Sequence, residues 1–115
     1  MSVRRVVPNL YVEDLPGSRP FFTEVLGLDS AMTLDFITTF VSPHSPITQI
    51  SVLTVDPSGL RPSYSVEVTD LDACHQRAVA NGCIIVYPLT DEPWGVRRFF
   101  VRDPSGSIAN ILAHR

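Results

Sequence analysis

Hydrophobic and polar positions follow the same order of patterns in both halves of the chain. Alternating β-branched and polar residues predict strands, whereas apolar residues three and four positions apart predict one helix per half. The predicted strands are about Arg5–Tyr11, Ser30–Leu34, Phe36–Val41, Thr48–Val55, Ser63–Val68, Cys83–Pro88, Val96–Arg102 and Ile108–Ala113. The helical stripes are Phe21, Phe22, Val25 and Leu26 in the first half, and Leu71, Cys74, Ala78 and Val79 in the second. Each half therefore has the order βαβββ.

Short repeats mark the helix ends in both halves. Val12-Glu13-Asp14-Leu15 returns as Val68-Thr69-Asp70-Leu71, so that an Asp is available as N-cap for each helix. Gly27 and Gly82 follow the two apolar stripes and predict left-handed helix ends.

A longer repeat suggests where the halves end. Asp-Pro-Ser-Gly occurs at residues 56–59 and again at residues 103–106, and we expect one such turn to close each half. Because about 55 residues are too few to bury a convincing core alone, we predict one domain of two modules, about 1–59 and 60–115. A ligand site between two such copies is the usual arrangement.

Composition narrows the class of protein. The chain has 115 residues, 44% of them hydrophobic, and a formal net charge of −3. No basic run is present, so we expect no nucleic-acid partner. No apolar stretch approaches the roughly 18 residues of a membrane helix, so we expect no membrane partner and a cytoplasmic protein. The spacing of Cys74 and Cys83 fits no zinc motif, and we expect two partly buried free thiols.

The two-module order resembles the vicinal oxygen chelate superfamily, which includes glyoxalase I, extradiol dioxygenases, fosfomycin-modifying enzymes and bleomycin-resistance proteins. The strongest matching pieces run from Val12 to Gly27 and from Phe99 to Gly106. The resemblance implies an α+β fold, in which tandem βαβββ modules form a curved, mostly antiparallel eight-stranded cup. Small members often form homodimers, and we expect a twofold homodimer here, because pairing also protects exposed strand edges.

Metal-dependent members hold a divalent ion with His, Gln or Glu side chains. The resemblance places the corresponding positions at Val7, Ser63, Asn110 and about Ser51, with Gln49 two residues away. These side chains form a very poor set of metal ligands. We therefore expect no metal and no other cofactor, as in the metal-free members that resemble bleomycin-resistance proteins. The three histidines lack ligand-like spacing and are interpreted as surface residues.

Strand alternation predicts a neutral, hydrogen-bonding lining for the cup. The residues expected to face inward are Val7, Asn9, Tyr11, Gln49, Ser51, Ser63, Ser65 and Asn110. Such a lining suits a polar organic ligand. The alternative is that these small polar side chains only hydrate an empty cleft.

The segment from Leu89 to Gly95 carries the only tryptophan, Trp94. In bleomycin-resistance relatives an aromatic residue in this region stacks on the drug, and Trp94 is a candidate for that role. The alternatives are a plug at the end of the sheet or a dimer contact. Arg97 and Arg98 are adjacent on a strand and point to opposite faces. Arg98 is included among the candidate ligand-binding residues, and the outward arginine is expected to pair with Asp91 or Glu92.

Two functions follow from these expectations. The first is metal-independent binding of a small polar or planar molecule, as in antibiotic-sequestering proteins. The second is a glyoxalase- or dioxygenase-type enzyme acting on a small metabolite. Glu67 has the parity of Ser63 and Ser65, which directs it to the cup face near the strand end and makes it the best acid–base candidate for such an enzyme.

Overall fold

The computed structural model describes residues 1–115, which form eight strands and two helices. The strands are β1 (Val3–Tyr11), β2 (Asp29–Leu34), β3 (Ile37–Ser42), β4 (Ser45–Leu53), β5 (Tyr64–Val68), β6 (Ile85–Asp91), β7 (Val96–Arg102) and β8 (Ile108–His114). The helices are α1 (Leu15–Pro20), which continues as a π-helical segment over Phe21–Val25, and α2 (Leu71–Ala80). The predicted α+β class and the βαβββ order are confirmed. Neither helix is long and apolar enough to cross a membrane.

Both predicted aspartate caps are present. Asp14 accepts a hydrogen bond from the Gly17 backbone N–H at 3.0 Å, and Asp70 accepts one from Ala73 at 3.0 Å. In α1, Pro20 lacks an N–H group and cannot continue the regular helical ladder. The helix then widens, and Leu26 N–H donates to Phe21 C=O five residues earlier, at 3.1 Å.

Residues 7–61 form one compact unit with the strand order β2-β3-β4-β1. The β2–β3 and β3–β4 pairs are antiparallel, and β1 runs parallel to β4. The core of this unit is Phe22 of the π-helical segment with Phe40 and Val52, and the rings of Phe22 and Phe40 stack with centroids 4.9 Å apart. The helix therefore covers the face of the sheet that carries Phe40 and Val52.

Residues 1–6 and 62–115 form the second compact unit, with the strand order β5-β8-β7-β6. Here β5 runs parallel to β8, while β7 is antiparallel to both β8 and β6. Helix α2 packs on one face of this sheet through a core of Val68, Leu71, Phe99, Ala109 and Ile111. Residues 1–6 therefore belong to this unit, whereas the predicted second module contained only residues 60–115.

The two Asp-Pro-Ser-Gly turns do not occupy equivalent places, and the expectation that one closes each half is wrong. The turn at residues 56–59 connects β4 to β5, whereas the turn at residues 103–106 lies between β7 and β8. Their local chemistry is nevertheless the same. Asp56 and Asp103 each accept a hydrogen bond from the backbone N–H two residues later, and the closing glycines have positive φ angles of 80° and 86°.

Candidate functional site

The face of the second unit opposite α2 collects the polar and aromatic side chains of that sheet, and is called here the helix-free face. It carries Ser65, Glu67, Tyr87, Arg98, Phe100 and Asn110. The alternation of side chains along β5, β7 and β8 places them there, since Phe99 and Ile111, which have the opposite parity, pack beneath α2.

Ser65 and Asn110 form the polar centre of this face. The two residues lie directly opposite each other in the parallel β5–β8 pair. Asn110 Nδ2 donates to Ser65 Oγ at 3.0 Å, and Asn110 is only 8% exposed. The Oδ1 atom of Asn110 is buried and has no hydrogen-bond partner in the protein. Strand alternation therefore predicts correctly that these two residues share a face. The Asn110 Oδ1 acceptor stays unsatisfied within the protein.

Arg98 is buried on the same face and forms an ion pair with Glu92. Its Nη2 and Nε atoms lie 2.6 and 2.7 Å from Glu92 Oε2, and the two side chains are only 4% and 8% exposed. Tyr87 donates its hydroxyl to the same carboxylate, at 3.2 Å from Oε2. The positive charge of Arg98 is thus matched by a buried negative charge.

Aromatic rings surround the Arg98 guanidinium. Its Cζ atom lies 5.0 Å from the centroid of Trp94, 4.7 Å from that of Phe100 and 5.4 Å from that of Tyr87. These are cation–π distances. Trp94 is half-buried, and its ring packs against a side chain predicted independently as a ligand-binding residue. A ligand-stacking role for Trp94 stays a prediction.

The structure distinguishes the two adjacent arginines. Arg97 contacts Asp72 of α2 and lies 3.3 Å from Asp91, so it is the arginine that pairs with acids on the helix side. Of the two partners considered for it, Asp91 is correct. Glu92 pairs with Arg98 instead, because β6 ends at Asp91 and the chain turns directly toward the helix-free face.

Glu67 lies on the helix-free face, as its parity with Ser65 predicts. Its Oε1 atom accepts a hydrogen bond from Arg5 Nε at 2.8 Å, and the carboxylate is 13% exposed. His114 Nε2 lies 3.0 Å from Arg5 Nη2 and 3.7 Å from Glu67 Oε2. The candidate base is therefore already engaged by a cation. Ser63 precedes β5, is exposed, and donates its backbone N–H to Ile108 C=O at 2.8 Å.

The predicted residues of the first unit also share one face, opposite its aromatic core. Asn9 lies opposite Ser51 in the β1–β4 pair, and the Ser51 hydroxyl is 2.8 Å from that of Thr39. Gln49 donates from Nε2 to Pro46 C=O at 2.7 Å. The guanidinium of Arg61 lies 4.2 Å above the ring of Tyr11. Val7 is buried.

The sequence did not reveal four of the contact residues, Arg5, Thr39, Tyr87 and Phe100, and it named Glu92 only as a partner of the outward arginine. Phe100 was detectable, because it has the parity of Arg98 on β7. The sequence does not indicate which face of the sheet the Glu92 side chain takes, because that depends on where β6 ends. Both cysteines are free, as expected, although Cys83 is exposed rather than partly buried.

The residues at the superfamily's ligand positions do not fit a metal ion. Valine offers no donor atom, while serine hydroxyls and an asparagine amide are neutral and weak compared with imidazole or carboxylate. Asn110 already donates from Nδ2 to Ser65. No group of three or more His, Cys, Asp or Glu side chains in residues 1–115 is arranged to hold a metal.

Comparison with known families tests the resemblance. The sequence model of one family, the glyoxalase/bleomycin resistance protein/dioxygenase superfamily, matches residues 4–110. The chain belongs to this superfamily. The match covers both βαβββ modules and confirms the family expected from the sequence.

Solved structures show the same superfamily fold. The chain is similar to NAD-dependent benzaldehyde dehydrogenase from Legionella pneumophila, with a TM-score of 0.78 and 16% identity over 96% of this chain and 99% of that one. Methylmalonyl-CoA epimerase from Mycobacterium tuberculosis has a TM-score of 0.70 and 18% identity, over 98% of this chain and 87% of that one. A glyoxalase/bleomycin resistance protein/dioxygenase superfamily member from Vibrio splendidus has a TM-score of 0.69 and 20% identity, over 97% of this chain and 99% of that one. No curated protein matches the sequence.

Proposed function

We propose that this protein binds a small polar or planar organic molecule without a metal ion, in the manner of bleomycin-resistance proteins. The observation that carries the proposal is the pairing of both carboxylates near the helix-free face with arginines. Glu67 is held by Arg5 at 2.8 Å, and Glu92 is held by Arg98 at 2.6 Å. Neither carboxylate can accept a proton from a substrate without weakening a charge-assisted hydrogen bond. Binding requires no such step.

The chemistry of the remaining side chains supports a ligand with flat and polar parts. Ser65 and Asn110 offer neutral hydrogen-bonding groups. Trp94 and Tyr87 are half-buried and offer aromatic surface beside Arg98, while Phe100 is fully buried next to them. Pockets for organic ligands combine largely apolar walls with a few placed polar groups. An antibiotic with planar rings has this character.

A second candidate is a metal-independent lyase or isomerase of the glyoxalase type. It is favoured by one specific contact, the 3.7 Å approach of His114 Nε2 to Glu67 Oε2. A histidine beside a carboxylate is a common acid–base arrangement. Two of the similar structures, methylmalonyl-CoA epimerase and benzaldehyde dehydrogenase, carry the names of enzymes.

The two candidates are separated by titrating the protein with bleomycin and analysing the recovered ligand by mass spectrometry. Binding with an unchanged ligand mass, in wild type and in Glu67→Gln alike, is the expected result. A parallel assay without added metal uses the hemithioacetal of glutathione and methylglyoxal, the type of substrate expected for a glyoxalase-like lyase or isomerase. Turnover that is lost in Glu67→Gln would establish the enzyme and contradict the binding proposal.

Assembly and location are also proposals. We propose a homodimer, the arrangement expected for small members of the superfamily. We also propose a cytoplasmic protein, which the two free thiols of Cys74 and Cys83 support, since unpaired cysteines are usual in a reducing compartment.

A further inference from the structure

We propose that the ligand presents a neutral hydrogen-bond donor, such as the N–H of a primary carboxamide, to Asn110 Oδ1. This inference rests on the proposed function and names the chemical class of the ligand. It assigns to Asn110 the role of selecting a carboxamide over a carboxylate of the same shape.

A hydrogen bond to β5 fixes the orientation of the Asn110 amide. Its Nδ2 atom donates to Ser65 Oγ at 3.0 Å, so the amide plane is tied to β5. Asn110 is only 8% exposed, and its buried Oδ1 atom has no hydrogen-bond partner in the protein. A buried acceptor without a donor carries a desolvation penalty. Because Oδ1 has almost no accessible surface, a ligand N–H reaches it only when the side chains over it move apart, and the new hydrogen bond then removes the penalty and adds affinity.

The charges around Asn110 disfavour an anionic ligand. Arg98 directs both Nε and Nη2 to Glu92, and Arg5 directs Nε to Glu67. A ligand carboxylate on this face therefore meets two cations that are already paired with carboxylates, and it meets an amide oxygen that repels it. A carboxamide of the same shape meets the same oxygen with a donor. The face favours the neutral molecule.

Aromatic side chains lie next to Asn110. Phe100 lies directly opposite Asn110 in the β7–β8 pair, and its ring lies 4.8 Å from that of Tyr87. Trp94 approaches the same cluster through Arg98. An aromatic carboxamide matches this arrangement because its ring can pack beside the cluster while its amide faces Asn110.

The test compares three probes of nearly equal shape: benzamide, benzoate, and acetophenone, in which a methyl group replaces the amide NH₂. Two-dimensional ¹H–¹⁵N NMR titrations follow the side-chain NH₂ signals of Asn110 as well as the backbone. We expect benzamide to bind about tenfold more tightly than the two probes without a neutral N–H donor, a ratio appropriate to one hydrogen bond. The Asn110 NH₂ signals should shift with benzamide.

Variants locate the selectivity. Asn110→Leu removes the amide oxygen at similar volume, and Asn110→Ala removes it with a smaller side chain in case the leucine does not fit. Either variant, when its NMR spectrum shows a folded protein, should bind all three probes equally. Asn81→Ala is the matched control, because it removes an asparagine amide at the C-terminal end of α2, away from the helix-free face, and the preference for benzamide should persist.

Equal binding of the three probes to wild type, or a preference that survives loss of Asn110, would overturn the inference. A preference for benzoate would also overturn it, since that requires the amide in the reverse orientation. If bleomycin binds while benzamide does not, the inference fails and the proposed function stands. If neither binds, both fail.

Discussion

Glu92 and Arg98 form a buried ion pair across the hairpin that joins β6 to β7, with Arg98 Nη2 2.6 Å from Glu92 Oε2. Removing one member of such a pair leaves the other charge in a low-dielectric environment. We expect Glu92→Gln to lower the free energy of unfolding by about 3 kcal/mol, the range for a broken buried pair. Urea denaturation followed by circular dichroism measures this change.

The matched control for that prediction is Asp91→Asn on the adjacent residue. Asp91 is 52% exposed and lies 3.3 Å from Arg97. Because solvent screens an exposed pair, this variant should lose less than about 1 kcal/mol. Equal losses in the two variants would show that the burial of Glu92 has no energetic consequence.

Asp103 predicts a specific acid sensitivity. Side-chain hydrogen bonds from Ser105 and Tyr64 hold the pKa of Asp103 below its usual value. Because the folded pKa lies below the unfolded one, this stabilisation is present above about pH 4 and is lost as the pH falls through the folded pKa. Asp103→Asn should therefore differ from wild type in urea midpoint at pH 7 and much less at pH 2.5. A difference that does not change with pH would contradict this account.

Tyr64 gives the complementary alkaline behaviour. Burial, and then its hydrogen bond to Asp103, raise the pKa of the Tyr64 phenol. The corresponding stabilisation is present below about pH 10 and is lost as the pH rises through the folded pKa. Tyr64→Phe should therefore flatten the decline of the urea midpoint above pH 10. An unchanged alkaline decline in the variant would assign it to other groups.

Trp94 is expected to report and strengthen binding. Bleomycin should quench its fluorescence, and Trp94→Ala should weaken the affinity by about 1–3 kcal/mol, the range for losing a buried aromatic contact. The fold should survive, since the residue lies between β6 and β7. A large fall in melting temperature with unchanged affinity would instead assign Trp94 to the packing of Arg98, which it contacts at 5.0 Å.

The proposed homodimer predicts a mass in solution of about twice 12.7 kDa. Light scattering coupled to size exclusion, at micromolar protein, measures it directly. Phe21, Val25 and Leu26 are exposed apolar residues on the first helical region and offer surface that association can bury. A monomer mass across the concentration range would exclude the dimer.

The sequence predicts the helices and strands of this fold better than it predicts which side chains contact each other. Local signals suffice for the helix ends, because Asp14 and Asp70 cap within three residues. Alternation also suffices to place Ser65 with Asn110. The role of Pro20 was not predictable, since a proline that usually ends a helix here shifts it to a wider turn. The two Asp-Pro-Ser-Gly turns were misassigned because turn chemistry fixes a local conformation and not its place in a repeat.

The partner of each arginine was likewise beyond the sequence. Adjacent positions 97 and 98 must point to opposite faces, but alternation does not say which face each one takes. The answer depends on the end of β6 at Asp91 and on α2, which supplies Asp72 to Arg97. The unsatisfied oxygen of Asn110 is a further tertiary property, because it depends on every donor within reach.

The central claim is that binding needs no metal, and calorimetric titration with bleomycin tests it most directly. The protein, purified without a metal-affinity tag, is titrated once after treatment with a chelator and once after incubation with Ni²⁺, Zn²⁺, Fe²⁺ or Mn²⁺. Gel filtration removes unbound chelator and unbound metal before each titration, because bleomycin itself chelates these ions. We predict the same dissociation constant, within about twofold, in every titration, because Val7, Ser51, Ser63 and Asn110 offer no metal-binding set. Binding that appears only after a metal is added would contradict the account.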